Sequence, residues 1–129
     1  MELQERKAIY LQLADRLCLD ILQGVYKADE RIPSVREFSA QMEVNANTAV
    51  RAYDWMQQQG VIYTRRGLGY FVAEDACHII ATMRKREFMD DSLPQLFTNM
   101  RALGISIAEV AELWYAFNKE QEIRTAQGI

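Results

Sequence analysis

Asn47, Thr48 and Arg51 combine helical spacing with the side-chain types that read nucleic-acid bases. Asn matches adenine with two hydrogen bonds, Arg matches guanine with two, and Thr reaches a phosphate, a base edge or a thymine methyl. Asn45 is placed to cap the helix that carries them. Arg36 falls in the first turn of another helix, where a cation opposes the helix dipole and a phosphate partner would compensate. Arg65 and Arg66 stand beside Gly67 and Gly69, whose missing side chains let backbone approach a ligand. Between positions 31 and 72, five arginines face three acids (Glu37, Glu43, Asp54), a local charge of +2. Asp54 works against phosphate binding, but three residues from Arg51 it can pair with that side chain and aim it. The competing reading is an ordinary solvated helix face, since all three residue types are common on surfaces.

The elements that hold these residues follow from periodicity. Ile9, Leu13, Leu17 and Ile21 recur every four positions and predict an amphipathic helix that stops at Gly24. Tyr26 to Pro33 is polar, and the Ile-Pro pair disfavours helix at Ile32. Ser34 and Glu37 form a capping box ahead of Val35, Phe38 and Met42. Only Glu43 and Val44 precede a third helix, capped by Asn45, with Ala49, Ala52, Tyr53 and Met56 as its inward stripe and Gly60 at its end. At 100° per residue, Asn47, Arg51, Asp54 and Gln58 then point outward. Two apolar runs, 61–64 and 70–72, flank Arg65-Arg66-Gly67-Leu68-Gly69 and read as a β-hairpin. The expected fold is mainly α with a small β-hairpin wing: a winged helix-turn-helix over 1–75, then a short all-α segment over 76–129.

That second segment is punctuated. Ile79, Ile80 and Met83 mark one helix, carrying Arg84-Lys85-Arg86 as a solvated basic run. Asp90-Asp91-Ser92 is expected to break it, with a Ser92–Gln95 capping box and Pro94 opening the next helix. Gly104 closes that helix, and a Ser106–Glu109 box starts the last one. Trp114, Tyr115 and Phe117 are expected in a core or dimer interface, and the chain past Asn118 is expected to fray.

Bulk composition narrows the function classes. With 129 residues, 50% of them hydrophobic, the chain can bury a core without a metal or disulfide staple. Fifteen basic against eighteen acidic residues give −3, so nucleic-acid binding has to come from local placement of charge. No apolar run reaches the ~18 residues of a membrane span. The start, Met1-Glu2-Leu3-Gln4-Glu5, lacks the blocks of a secretory signal, so a cytoplasmic protein with free thiols at Cys18 and Cys77 is expected. One histidine and no paired nucleophile and base leave catalysis without a constellation. Cys77-His78 has no further ligand nearby, so neither metal nor other cofactor is expected, and no residue set marks a small-molecule effector.

Residues 8–75 closely resemble the DNA-binding domain of GntR-family transcriptional regulators. The resemblance rests on Ala8 to Ala14, Arg31-Ile32-Pro33-Ser34-Val35-Arg36-Glu37, Val44 to Tyr53 and Gly60 to Val72, four motifs in order at the family's spacing. The short helical tail is similar to that of the YtrA-type subfamily, whose small C-terminal domain dimerises. The resemblance implies a homodimeric DNA-binding regulator, a repressor rather than an activator. It puts Arg36 on the DNA backbone, Asn45 to Thr48 and Arg51 at the major groove, and Arg66 to Gly69 near the minor groove. Ala46 departs from the family's frequent Arg or Pro, Val50 from a frequent basic residue, and Lys27-Ala28-Asp29-Glu30 replaces a common Pro-Gly turn. These departures and the acidic total favour one rival, a winged helix that has lost DNA binding and serves protein assembly.

Overall fold

Apolar residues at four-residue spacing make α1 (Ile9–Leu22), which buries Leu13, Ala14, Leu17, Cys18 and Ile21. Gly24 follows with φ +82°, a conformation glycine adopts at no steric cost. The structure is a computed structural model that describes residues 7–128. The N-terminal stretch read above for a secretory signal lies outside those residues.

Ser34 caps α2 (Val35–Met42) through the expected box: its hydroxyl accepts from the Glu37 N–H, and the Glu37 carboxylate accepts from the Ser34 N–H. The Ser34 backbone N–H first, and the Ser34 side chain second, hold the Glu37 carboxyl below its ordinary value. The turn to α3 (Ala46–Gln58) needs a left-handed residue, and Glu43 takes that role with φ 57°. The next amide, Val44 N–H, then reaches back to the Ser39 carbonyl at 3.0 Å and satisfies the helix end. Ala49, Ala52, Tyr53 and Met56 have no exposed surface and seat α3 against α1 and α2. Tyr53 donates to the Pro33 carbonyl at 2.6 Å, and burial pushes its phenol upward.

Strands β1 (Ile62–Arg65) and β2 (Gly69–Val72) pair antiparallel, with Ile62 opposite Val72 and Arg65 opposite Gly69. The segment before α2, read only as polar loop, pairs with the free side of β2. Ile32 N–H donates to Tyr70, Asp29 N–H donates to Val72, and Val72 N–H donates to Glu30. The free edge of β2 is thereby tied to the segment leading into α2, while its other edge pairs with β1.

Ala76 and Ile80, on α4 (Ala76–Glu87), are buried in the same core as α1 and α3. The first compact unit accordingly runs over Met1–Lys85 and the second over Arg86–Ile129, ten residues beyond the boundary read from sequence.

The expected break at Asp90-Asp91-Ser92 does not occur. Ser92 has helical angles, φ −69° and ψ −42°, and its side chain makes no capping bond. The backbone instead widens into a π-helical turn over Phe88–Ser92 and continues as α5 (Leu93–Leu103). Pro94 is the physical reason: it lacks an N–H, and its ring would strike the carbonyl four residues back, which a wider turn relieves. Gly104, at φ 70°, then ends the helix.

The Ser106–Glu109 box starts α6 (Ile107–Ala126) as expected. Fraying past Asn118 is not seen: α6 stays helical to Ala126, with Glu120 and Arg124 one turn apart at 4.0 Å. Lys, Glu and Gln are good helix formers, so polarity there marks a solvated helix. Trp114, Tyr115 and Phe117 are exposed, so they form no core within the described chain. No helix among the described residues is long and apolar enough to cross a membrane.

Candidate nucleic-acid interface

The first turn of α3 faces solvent. Asn47 and Arg51 are exposed on one stripe with Asp54 and Gln58, and Thr48 is half-buried at its border. The Asn45 side-chain oxygen accepts from the Asn47 N–H at 2.7 Å. Capping therefore commits that oxygen and leaves the amide nitrogen for an outside partner.

Arg51 does not pair with Asp54; no ion pair joins them among the described residues. Its guanidinium lies over the ring of Tyr10 on α1, 4.1 Å from the centroid. A planar, weakly hydrated cation gains by stacking on an aromatic face, whereas an exposed ion pair gains little. Asp54 stays solvated.

Arg36 is exposed at the second position of α2, and its guanidinium has no partner among the described residues. Glu37 in the same turn supplies the negative charge the helix start prefers.

The wing divides its two arginines. Arg65 belongs to β1 and lies on the sheet face, 4.9 Å from the Phe71 ring centroid, donating to the Tyr63 hydroxyl at 3.3 Å. Tyr63 in turn donates to Asp29 at 2.8 Å. Arg66, Gly67 and Leu68 form the turn itself, and Arg66 is exposed.

The two glycines also have work within the fold. Gly67 has φ +76° and open space around it, so the turn requires its conformation. Gly69 makes room for a neighbour within the protein: a Cβ there would lie 3.1 Å from the Arg31 Nε. Arg31 uses that gap to donate to the Leu68 carbonyl at 3.1 Å. The sequence alone assigns neither Arg31 nor Tyr10 a contact. Both contacts join residues far apart in the chain, and no local pattern announces them.

Electrostatically the face is mildly positive. Among the described residues Arg36 and Arg66 are unengaged cations, Arg51 is held by a ring, and the Glu37 carboxylate is occupied by the cap. Among the described residues no group of His, Cys, Asp and Glu is arranged to hold a metal. Cys18 and Cys77 are free thiols, the first buried and the second exposed.

A helix-turn-helix with a hairpin wing and a polar face on the first turn of α3 defines a winged-helix DNA-binding protein. Residues 9–72 match the family described as bacterial regulatory proteins, gntR family. The uncharacterized HTH-type transcriptional regulator YhcF of Bacillus subtilis is 35% identical over 111 residues, 86% of this chain and 90% of that protein. The HTH-type transcriptional repressor YtrA of the same organism is 29% identical, with 81% and 79% covered. A solved GntR-family putative transcriptional regulator from Bacteroides thetaiotaomicron is 46% identical at TM-score 0.78, covering 88% of this chain and 99% of that one. The DNA-binding domain of AraR, solved in complex with operator ORX1, is 30% identical at TM-score 0.52, covering 54% and 84%. The chain belongs to the GntR family: it is a transcriptional regulator with an N-terminal winged-helix DNA-binding domain, not an enzyme.

Proposed function

We propose that this regulator is a cytoplasmic repressor that binds a pseudo-palindromic operator as a homodimer. The observation that carries the reading is the exposed first turn of α3, with Arg36 and the wing turn supplying cations to the same domain. Asn47, Thr48 and Arg51 read base edges, and Asn45 adds its amide nitrogen. Arg36 binds backbone phosphate, while Arg65, Arg66, Gly67 and Gly69 bring the wing to the minor groove.

Dimerisation is assigned to the helical segment over 76–129. In the unit Arg86–Ile129, Met100 is the one buried apolar residue among those described. Leu103, Ile107, Leu113, Trp114, Tyr115 and Phe117 are each 54–72% exposed. Apolar surface on that scale marks an interface, and a second copy of the chain supplies a matching face. Repression is favoured by the likeness to YtrA, whose name carries that sense.

Two recognition helices related by a two-fold axis sit roughly 34–36 Å apart, so half-sites are expected about one helical turn apart or a multiple of it. Selection of bound duplexes from a random pool, with the dimer mass measured in parallel, tests the reading. A symmetric enriched sequence and a dimeric mass support it. Absence of any salt-dependent retention on DNA refutes it and leaves a protein-assembly scaffold.

A further inference from the structure

We infer that Tyr10 is a positioning residue for operator recognition, acting by holding the Arg51 guanidinium over its ring at the edge of the base-reading face. The inference rests on the DNA-binding reading above and deepens it.

Tyr10 sits in the first turn of α1, half-buried, and packs against the common core. Its ring is therefore fixed by the fold rather than by its partner. The Arg51 guanidinium lies 4.1 Å from the ring centroid, well inside the roughly 6 Å range of a cation–π contact. A contact of the guanidinium carbon with a ring face uses no N–H donor and leaves those groups available. Among the described residues none of those N–H groups has a hydrogen-bond or ion-pair partner. Asp54, the carboxylate best placed in sequence to compete, does not reach it.

An arginine free on a helix surface gives up rotamer freedom when it meets a base, whereas one already stacked has largely lost it. The cost of ordering Arg51 is thus met within the fold before DNA arrives. Its position one turn beyond Asn47, on the same exposed stripe, puts the fixed fork beside the other candidate base reader. Arg is suited to this double duty because a single plane can stack and hydrogen-bond at once.

The test is a double-mutant cycle on the full-length protein, titrating the selected operator and a random duplex at fixed salt. Tyr10→Leu is expected to weaken operator binding roughly three- to tenfold, the scale of one lost side-chain restraint. Random-duplex binding should change much less. Tyr10→Phe keeps the ring face and should restore wild-type affinity. In the Arg51→Ala background, Tyr10→Leu should have no further effect on operator affinity.

Equal losses from Tyr10→Leu with and without the Arg51 side chain would mean that Tyr10 serves only the fold, and would overturn the inference. A Tyr10→Phe variant as weak as Tyr10→Leu would overturn it too. No duplex binding by the wild-type protein would overturn the DNA-binding reading itself, a result distinct from either.

Discussion

The Nε of Arg31 donates to the backbone carbonyl of Leu68 at 3.1 Å, tying the strand-like segment before α2 to the turn of the wing. Gly69 permits this contact, because a Cβ in its place would lie 3.1 Å from that nitrogen. Gly69 also has φ +113°, which side chains rarely adopt. Gly69→Ala should lower stability by about 1–2 kcal/mol, through strain and displacement of Arg31, measured by urea unfolding. A variant as stable as wild type would show that the gap at Gly69 is not needed.

The arginines should separate by role in DNA titrations. Arg66→Ala and Arg36→Ala should weaken operator and random duplex alike, each reducing the salt slope by about 1. Arg51→Ala should cost about 1–3 kcal/mol on the operator and relax its sequence preference. Arg65→Ala should weaken DNA binding less than Arg66→Ala, because Arg65 is already engaged with Phe71 and Tyr63. Identical salt slopes for wild type and the Arg66 variant would remove the wing turn from the interface.

Cys18 makes stability depend on alkaline pH. Burial first, and Asp15 second, push its thiol from the ordinary 9.0 up to about 11. The unfolded chain therefore loses this proton before the folded one does, and stability falls as pH rises from 9 toward 11. The loss should reach roughly 2–3 kcal/mol above that window. Urea midpoints at several pH values should show the fall in wild type and a flatter profile in Cys18→Ala. In the native protein a thiol reagent should label Cys77 rapidly and Cys18 only on unfolding.

At the acid end the relevant group is Glu37, whose folded value is lowered by its bonds to Ser34. Its contribution is present above the ordinary value of 4.5 and disappears as pH falls through the folded one. Glu37→Gln removes the titrating group and should flatten the acid limb of the stability curve. Ser34→Ala, which keeps the backbone N–H, should cost about 1 kcal/mol at neutral pH and flatten that limb only in part. An unchanged acid limb would assign that limb to other carboxylates.

The parts of the fold legible in the sequence are those written in local signals. Ser34 with Glu37, Ser106 with Glu109, Asn45 before an alanine-lined stripe, and glycines between two apolar runs each determine their own neighbourhood. Glu43 escaped because its left-handed turn carries no glycine; the short link between two packed helices imposes it. Ser92 misled because a cap works only where the preceding helix ends, and the turn before Pro94 widened instead. The polar residues of late α6 resembled a loose tail, yet they are strong helix formers. At the candidate interface, sequence placed Asn47 and Arg51 on an outward stripe. Periodicity along one helix could not show that Tyr10 of another helix would take Arg51, or that Arg31 would occupy the space beside Gly69.

Ala49 and Ala52 are completely enclosed between α3 and its neighbours, while Asn47 and Arg51 reach the solvent side of the same short helix and Thr48 lies at its border. Any larger residue at the alanines would push the helices apart, so those sites tolerate almost no variation. The solvent-side positions carry no such penalty. On the base-reading role proposed for them, a lineage can exchange one regulatory target for another by altering a few side chains, while the scaffold that presents them is inherited intact.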